Sequence, residues 1–565
     1  MRVSGFHRPA RQGRRMILGA VCEREILVAP RTRGLYVARA LAAAAVLGVV
    51  ATCWLVVTGS QAVVTVGDAA RFGATLLRIL APLQLVMAML AASLVAVLAV
   101  GVEKERRTLE LLLVSRLGDA QLVLGKLGGS LLRVGLLLVA AAPMFVLASL
   151  FGGVSLLQLA RLFAVTVAAA IAAASIANAA AFWRDTTFQA LAITAATLVG
   201  WSAAGELAHA LAGGTAGAIV SPARAAFDAL TPAGGRSLAG FLAVCGGVAV
   251  TAGGLAVALV RRWNTATEVR RQPATQSAPA RRREVWTNPV LWRELCTRAH
   301  GRTMIVVRIA WVVLFAAAIA GLAAEAGVAR PDRLAVAAAI VPMVLASLLA
   351  VAALAVTSVT GERDRGTFDL LLVSDLEPRE FVWGKLLGVI GAARELVVLP
   401  LAVCAGLVPL GLATAEEATY LVIGLAVLTF FVAVLGIYAG LSHGLSRQAI
   451  AVTLGIVAFL SVGVATAMRV MVAFGGSFEL QLAPFLAAIV GGGVGLYAAL
   501  SARNPSPAVA WTSALLPALT FVAITGFLQG STLQVFLVVI VAYGFATLAL
   551  LIPSIAAFDL LTGRT

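Results

Sequence analysis

Charged side chains are scarce in this sequence. They make up 12% of its 565 residues, whereas apolar residues make up 61% and the mean hydropathy is +0.99. A soluble globular domain contains roughly a quarter charged residues. The composition therefore excludes an ordinary soluble fold and predicts a protein that lies mostly in lipid. Short segments of alternating polarity, which predict a membrane β-barrel, are absent from the sequence, so we expect the spanning segments to be α-helices.

Cysteine and histidine are also rare, with five cysteines and four histidines. No two cysteines have Cys-x-x-Cys spacing and the histidines are scattered, so the sequence predicts neither disulfide bonds nor a metal site. A phosphate-binding Walker loop is missing, because Gly125-Lys126 and Gly384-Lys385 are both followed by leucine. We therefore expect no catalytic residue, no enzyme activity and no cofactor bound by this chain.

Fourteen apolar segments are long enough to cross about 30 Å of hydrocarbon as helices. The first half of the chain contains six of them and the second half contains eight. The predicted spans are 35–57, 76–101, 122–150, 157–181, 188–211, 238–260, 303–325, 335–360, 382–411, 418–441, 449–473, 483–500, 508–529 and 534–556. The predicted fold class is all-α, a polytopic transmembrane helical bundle of about fourteen spans.

The basic residues predict which ends of the spans face the cytoplasm. With a cytoplasmic N-terminus, the inner segments contain 29 lysines and arginines and the outer segments contain five. Basic residues concentrate on the cytoplasmic side of membrane proteins, so both termini are predicted to be cytoplasmic. The net charge of +17 comes mainly from this inner surface and favours an anionic leaflet. We do not expect nucleic-acid binding, because the charge is spread along the membrane boundary.

One segment of the chain occurs twice. Residues 103–127 and 362–386 align without a gap at an offset of 259 residues, with 13 of 25 positions identical. Polar residues match at the same offset further along, as Gln189 and Gln448 do. Each copy contains six predicted spans, an even number, so the copies are predicted to share one orientation. This is a tandem parallel repeat with a pseudo-two-fold axis along the membrane normal.

The repeated segment is predicted to form a short amphipathic helix at the inner membrane surface. One face is apolar and consists of Leu109, Leu112, Leu113 and Leu117. Another face carries opposite charges three or four residues apart, from Glu103, Arg106 and Glu110. The mixed charge argues against a simple lipid anchor, which would be rich in lysine and arginine.

The pattern Glu-[Lys/Arg]-[Glu/Asp]-Arg-x-Thr-x-[Glu/Asp]-Leu-Leu-x-Val-Ser, with Gly-Lys about ten residues later, resembles the coupling-helix region of type-2 ABC exporter permeases. The second copy fits this pattern better, with Gly366 and Pro378, where the first copy has Arg107 and Asp119. Residues 288–295 are similar to the interfacial helix that precedes the first span in that family. The resemblance covers most of residues 20–500.

The resemblance implies the membrane-spanning permease subunit of an ATP-binding-cassette exporter, multi-pass in a bacterial inner (plasma) membrane. It implies two cytosolic ABC ATPase subunits as partners, which hydrolyse ATP with Mg²⁺ and drive export of a substrate that the sequence does not identify. The ATPase-coupling residues that it implies are Glu103, Lys104, Glu105, Arg106, Thr108, Glu110, Ser115, Glu362, Arg363, Asp364, Arg365, Thr367, Asp369 and Ser374.

The predicted domains follow the repeat. Residues 1–263 form the first six-span permease unit and 286–502 form the second, with a cytoplasmic linker at 264–285. Residues 503–565 add two C-terminal spans that lie outside the usual six-span unit. The outward segment 214–237 is predicted to be either a plain loop or, by the resemblance, re-entrant or surface helices.

Three charged residues, Arg133, Arg394 and Glu395, lie one to two turns inside predicted spans. Charge within lipid is costly, so these residues are candidates for gating or substrate contact, with interfacial anchoring as the alternative. Two other functions also remain open for the chain. A secondary transporter driven by an ion gradient can contain parallel six-span repeats, and a membrane assembly or scaffold component can use the same fold without moving a solute.

Overall fold

A computed structural model shows the fold of the chain. It describes residues 23–24, 35–40, 42–44, 46–48, 50, 65–212, 214–232, 235–269, 286–296, 304–326, 333–364, 366–373, 375–474 and 478–562. The secondary structure of these residues is helical, without a strand. Ten of the described helices are long and apolar enough to cross a membrane, and the count is eleven if one bent pair is a single span. The described residues therefore confirm a polytopic helical bundle.

The first half contains eight helices between residues 65 and 269. They are α1 (Val66–Glu105), α2 (Thr108–Val114), α3 (Asp119–Leu150), α4 (Leu156–Trp183), α5 (Thr187–Ala212), α6 (Gly214–Val220), α7 (Pro222–Ala229) and α8 (Leu238–Val269). The short helices α6 and α7 lie in the segment 214–237, for which the sequence predicted either a plain loop or re-entrant or surface helices.

The helices of the second half begin at residue 289. They are α9 (Pro289–Cys296), α10 (Met304–Ala326), α11 (Arg333–Asp364), α12 (Phe368–Val373), α13 (Pro378–Ala392), α14 (Arg394–Gly406), α15 (Ala415–Ser442), α16 (Ser446–Ala458), a π-helical turn at Phe459–Gly463, α17 (Val464–Phe474), α18 (Phe478–Leu500), α19 (Pro507–Gln529), α20 (Thr532–Ala556) and α21 (Phe558–Thr562).

Polar residues set where the central helices start. The Ser155 side chain accepts a hydrogen bond from the Gln158 backbone N–H at the start of α4, and Gln158 binds the Ser155 N–H in return. Thr414 and Glu417 form the same reciprocal pair at the start of α15, 259 residues later. Such capping boxes satisfy backbone donors that a helix leaves open at its N-terminus. The sequence therefore fixes the same starting point for both helices.

Two helices lie at the centres of the two halves. In the first half, α4 packs against α1, α3, α5 and α8; in the second half, α15 packs against α11, α14, α16 and α20. The halves meet where α5 packs against α10 and α11, and where α16 and α17 contact α1. One hydrophobic core runs across this junction and contains buried residues of both halves, including Ala192 and Trp311.

The structure differs from the predicted spans in two places. The segment 382–411, predicted as one span, is two helices, α13 and α14, that bend by 62° at Ala393. A π-helical turn interrupts the span predicted at 449–473. Of the first predicted span, 35–57, residues 41, 45, 49 and 51–57 lie outside the described residues, and those described between 35 and 50 are helical. The total of fourteen spans stays a prediction.

Candidate functional site

The two copies of the repeated segment lie at one end of the bundle. α1 ends at Glu105, and the short helix α2 begins only after a turn whose residue Arg107 has a left-handed backbone, with φ of 59°. In the second copy Gly366 takes this position, with φ of 69°. The turn separates Glu103 from Glu110, so the predicted single helix face of Glu103, Arg106 and Glu110 is wrong. Left-handed geometry cannot continue a right-handed helix.

A threonine closes each of these turns. The Thr108 hydroxyl donates to the Glu103 carbonyl at 3.2 Å, and the Thr367 hydroxyl donates to the Glu362 carbonyl at 3.1 Å. Both carbonyls lie in the last turn of a long helix, where backbone acceptors lack intrahelical partners. The threonines therefore bind the short helices to the helices that precede them.

A basic side chain next to each turn binds the end of the central helix. The Lys104 ammonium donates to the carbonyls of Phe182 and Arg184, the latter at 2.9 Å. The Arg363 guanidinium donates to the carbonyls of Leu441 and His443. All three positions of the second set follow those of the first by 259 residues. The same contact thus joins α1 to α4 and α11 to α15.

The lysine of each Gly-Lys pair forms an ion pair with the first residue of the repeat. Lys126 on α3 pairs with Glu103. Lys385 on α13 binds Glu362 at 2.6 Å, Glu294 at 2.7 Å and the Ser358 carbonyl at 2.9 Å. The Lys385 side chain is only 1% exposed. These pairs hold α3 against α1 and α13 against α11, and the second pair is more deeply buried than the first, whose Glu103 carboxylate is partly exposed.

The second half has an additional member of this cluster, the short helix α9. Its Glu294 carboxylate binds Lys385, and Arg293 pairs with Glu362. Close contact between α9 and α13 depends on glycine, because a Cβ at Gly388 would lie 2.7 Å from the Glu294 Cβ. The segment 288–295, predicted to be an interfacial helix, therefore forms most of the helix α9, which is bound to α13.

An ion pair joins the two copies of the segment. The Arg106 guanidinium lies 3.1 Å from the Asp364 carboxylate. Arg106 is about half exposed, whereas the Asp364 side chain is 3% exposed. The two turns are therefore in direct contact, although they are far apart in the sequence.

Further contacts hold α2 in place. Arg261, near the end of α8, binds the Asp119 carboxylate at 2.6 Å and the carbonyls of Leu113 and Leu117 at 3.4 Å. The Ser115 hydroxyl donates to the Leu112 carbonyl at 2.6 Å. The start of α3 and the end of α2 are thus bound to the last span of the first half.

The side of each short helix that faces away from the bundle is apolar. Leu111 and Val114 on α2 are 72% and 88% exposed, and Leu370 and Val373 on α12 are 72% and 83% exposed. Leu109 on the opposite side of α2 is buried, as the sequence predicts. Each short helix therefore presents the same two-residue apolar tip to its surroundings.

The predicted coupling residues fall into three groups. Those that bind other parts of this chain, as described above, are Glu103, Lys104, Arg106, Thr108, Ser115, Glu362, Arg363, Asp364 and Thr367. Glu110 is exposed on α2 beside the apolar tip. Arg365 and Ser374, and the side chains of Glu105 and Asp369, lie outside the described residues.

The three charged residues predicted inside spans lie in different settings. Arg133 is half-buried on α3. Arg394 is the first residue of α14, directly after the bend, and its side chain is 66% exposed beside Glu395 at 2.9 Å. Glu395 also pairs with Arg308 of α10 at 3.1 Å. The structure therefore brings Arg394 and Glu395 together, but Arg133 does not join them.

The loops after α4 and α15 each begin with a basic side chain that is partly or fully buried. Burial lowers the pKa of Arg184 to about 10. Burial is also the main cause that lowers the pKa of His443, and the nearby positive charges of Arg503 and Arg363 lower it further. In both loops the charged form of the side chain is therefore disfavoured by its surroundings.

Six contributors to this site were absent from the predicted set of residues: Lys126, Lys385, Glu294, Arg293, Arg261 and Asp119. Both lysines are identical positions of the repeat, so pairing the repeated acids with the repeated bases would have identified them. Neither a scan against models of protein families nor a search of curated proteins found a match for this chain.

Proposed function

We propose that this chain is the permease of an ATP-binding-cassette exporter, and that α2 and α12 are the surfaces on which its ATPase subunits dock. The observation that carries this proposal is the pair of apolar tips, Leu111 with Val114 and Leu370 with Val373. Large apolar side chains exposed next to charged residues are typical of protein interaction sites. Their equal placement on two short helices suits a partner that is itself present twice.

The contacts behind the tips supply the mechanical link that such a permease requires. A force on α2 reaches α1 through Thr108, α4 through Lys104 and α3 through Lys126. The corresponding force on α12 reaches α11, α15 and α13 through Thr367, Arg363 and Lys385. Because the basic groups in these links are partly or fully buried and each is paired, moving a short helix would displace several spans as one body. Nucleotide binding by the partners would then shift the equilibrium between inward-open and outward-open states.

The repeated contacts also support a tandem arrangement of two transport units within this one chain. Three kinds of contact recur at the offset of 259 residues: the threonine bond, the bond to the end of the central helix and the Lys–Glu pair. We infer a pseudo-two-fold relation between the units, fourteen spans in total and cytoplasmic termini in a bacterial plasma membrane. One chain would then provide both docking helices, and two ATPase subunits would bind ATP and Mg²⁺.

The packing of the last helices favours a revised boundary for the second unit. α8 packs on α4 and α3 in the first half, and α20 packs on α15 and α13 in the second. Phe558, directly after α20, contacts the Phe381 ring at 5.5 Å near the start of α13. We therefore assign α20 as the sixth span of the second unit. α18 and α19, rather than the last two helices, are then the additional pair.

Purification of the tagged chain from its native membranes in mild detergent tests the docking proposal. Wild-type protein should bring down a cytosolic ATPase with a Walker loop, identified by mass spectrometry. The double variant Leu111→Asp/Leu370→Asp should lose at least 90% of it, since burying a carboxylate without a partner costs several kcal/mol. Leu445→Asp, at an exposed leucine on the same end of the bundle, is the matched control and should retain the ATPase.

Two results would contradict the proposal in different ways. Retention of the ATPase by the double variant would show that the short helices are not the docking surface. Failure of wild type to bring down any ATPase would remove the exporter assignment. Transport that survives ATP depletion but stops with an uncoupler would then identify a gradient-driven transporter.

A further inference from the structure

The Arg184 side chain is a buried cation without a protein partner. It directly follows α4, at the end of the bundle where the repeated turns lie, and the residue is 4% exposed. Its Nε atom is buried without a hydrogen-bond partner, and among the residues that the structure describes none forms an ion pair or a hydrogen bond with the guanidinium. The neighbouring Asp185 is exposed. Burying an unpaired charge is costly, so the setting of Arg184 suits an anionic ligand.

Two tryptophan rings lie beside this guanidinium. The Arg184 Cζ atom is 3.2 Å from the centroid of the Trp183 ring, and that ring is 6.3 Å from the ring of Trp263 on α8. Trp183 is 39% exposed. Tryptophan is enriched where a membrane protein passes the lipid headgroups. The two rings therefore indicate that Arg184 lies at the level of the phosphates of one leaflet.

The surroundings of Arg184 carry further positive charge. The Lys104 ammonium donates to the Arg184 carbonyl at 2.9 Å. Arg262, which precedes Trp263 on α8, is exposed. Basic groups between membrane helices at one surface of the bilayer are typical of sites that bind anionic lipid headgroups.

An apolar groove continues from the two rings along the spans. It lies between α5 and α8, holds a cavity of about 340 Å³, and includes Ile176, Thr251 and Leu255 among its lining residues. Trp183 follows Ile176 by seven residues and Trp263 follows Leu255 by eight, so each ring shares a helix face with a lining residue. These separations correspond to about 10–12 Å along a helix. The charged end and the cavity are therefore parts of one groove.

The side of the groove formed by α8 is suited to lipid. Val250 and Leu255 are 74% and 53% exposed, and Leu242 is 38% exposed. Large apolar side chains exposed along a membrane-spanning helix are suited to contact with acyl chains. The groove is therefore accessible from the bilayer.

The second half differs at the charged end. At the offset of 259 residues, Arg184 corresponds to His443 and Trp183 corresponds to Ser442. The Ser442 hydroxyl donates to a carbonyl one turn earlier on α15 at 2.8 Å, and the His443 Nδ1 atom lies 3.2 Å from the Ala439 carbonyl oxygen. These two side chains are bound to their own helix. A buried guanidinium on an indole ring is thus specific to the first half.

The second half also differs along the groove. α19 packs against both α17 and α20. Ile456 and Leu460, which follow Thr197 and Trp201 by 259 residues, are 5% and 4% exposed, whereas Thr197 and Trp201 line the cavity of the first half. Protein therefore covers this face in the second half, while the first half has both the open groove and the unpaired cation.

We propose that the first half binds one anionic phospholipid, with its phosphate on Arg184 and an acyl chain in the groove between α5 and α8. A guanidinium can bind a phosphate through two parallel N–H···O bonds. The apolar groove favours a lipid over a soluble phosphate compound, because it extends from the charge along the spans. A carboxylate of a partner protein would leave the groove without an occupant. The inference goes beyond the exporter assignment and does not depend on it.

Native mass spectrometry of the delipidated full chain, titrated with phosphatidylglycerol, tests this inference. Wild type should bind one molecule about tenfold more tightly than phosphatidylcholine, whose choline group neutralises the headgroup. Arg184→Gln should bind phosphatidylglycerol about tenfold more weakly than wild type, because the charge-assisted hydrogen bonds to the phosphate are lost. Arg447→Gln, at an exposed arginine near the start of α16, is the matched control and should bind as wild type does.

A second pair of variants tests the groove. Thr251→Phe should also weaken binding about tenfold, because the ring would occupy the space of the acyl chain. Leu548→Phe, at a half-exposed position of α20, should leave binding unchanged. Glycerol 3-phosphate, which carries the phosphate without acyl chains, should not displace the lipid. Without lipid, Arg184→Gln should unfold in detergent at the same temperature as wild type or a higher one, because it no longer buries an unpaired charge.

Four results would each overturn the proposal. They are equal binding of phosphatidylglycerol by wild type and Arg184→Gln, equal weakening in Arg447→Gln, unchanged binding in Thr251→Phe, and a lower unfolding temperature of lipid-free Arg184→Gln. Displacement by glycerol 3-phosphate would instead identify a site for a soluble anion. A protein that is recovered from native membranes with wild type but not with Arg184→Gln, in place of the lipid, would identify a protein contact.

Discussion

The buried cluster around Lys385 allows a quantitative test of how the end of the bundle is held together. Replacing Lys385 with methionine keeps most of the side-chain volume but removes the ammonium from Glu294, Glu362 and the Ser358 carbonyl. The carboxylates of Glu294 and Glu362, with side-chain exposures of 7% and 12%, would lose the buried ammonium and keep the partly exposed Arg293 as a partner. Removal of one member of a buried ion pair costs about 3–5 kcal/mol.

The matching lysine in the first half is a natural comparison. Lys126 pairs with the single carboxylate of Glu103, whose side chain is 26% exposed. Water can therefore replace part of the lost interaction. We expect Lys126→Met to cost about 1.5–3 kcal/mol, the range for a hydrogen bond to a charged group.

Titration of purified protein with SDS in mixed micelles would give the free energy of unfolding for each variant. The free energy of unfolding should fall further in Lys385→Met than in Lys126→Met. Adding Glu294→Gln and Glu362→Gln to Lys385→Met should recover much of the loss, because no unpaired buried carboxylate would remain. Equal losses at the two lysines, or no recovery in the triple variant, would refute the reasoning that desolvated carboxylates set the cost.

Two further predictions concern the turns and the loops at this end. Gly366→Ala should reduce the free energy of unfolding by about 1–2 kcal/mol, and Arg107→Gly should raise it by about the same amount, because φ is positive at both positions. Thermal unfolding in detergent measures both changes. Equal effects in the same direction would contradict the explanation. The pKa of His443 is lowered in the folded protein, so the unfolded chain binds more protons at this side chain below about pH 6.5. The stability that neutral His443 contributes is therefore present above that pH and is lost as the pH falls. His443→Gln should therefore lose less thermal stability than wild type between about pH 7.5 and about pH 5.5, and identical pH profiles would exclude this role for His443.

Much of the bundle could be predicted from hydropathy alone, because a spanning helix must bury apolar side chains along its whole length. The helices α3, α4 and α15 begin and end within about three residues of the predicted spans 122–150, 157–181 and 418–441. The bend at Ala393 could not be predicted in this way. Both α13 and α14 are apolar, and hydropathy does not report the direction of a helix axis.

The candidate site shows a different limit of sequence reasoning. Repetition selected Glu103 and Glu362 as predicted coupling residues, but the ion pairs that they form within the chain were invisible without their partners. A charged residue near a membrane boundary can face solvent or bind a neighbouring helix, and the residue type in the sequence is the same in both environments. Only the positions of Lys126 and Lys385 show that these acids bind within the chain.

The apolar tips illustrate the same ambiguity. Leu111 and Leu370 belong to a run of three leucines in each copy, and helical periodicity alone places some leucines on each face. The turn at Arg107 or Gly366 sets the direction in which the short helix leaves the bundle, and therefore which leucines are exposed. That direction follows from a single backbone angle, which composition cannot specify.

The bend at Ala393 makes the two halves unequal as mechanical elements. α3 runs without a break for 32 residues, a length of about 48 Å at 1.5 Å per residue, so a displacement of one end is transmitted along the helix axis. α13 and α14 meet at 62°, so the same displacement of α13 would rotate α14 about the bend at Ala393. Equal strokes at the two short helices would therefore produce a translation on one side of the molecule and a rotation on the other.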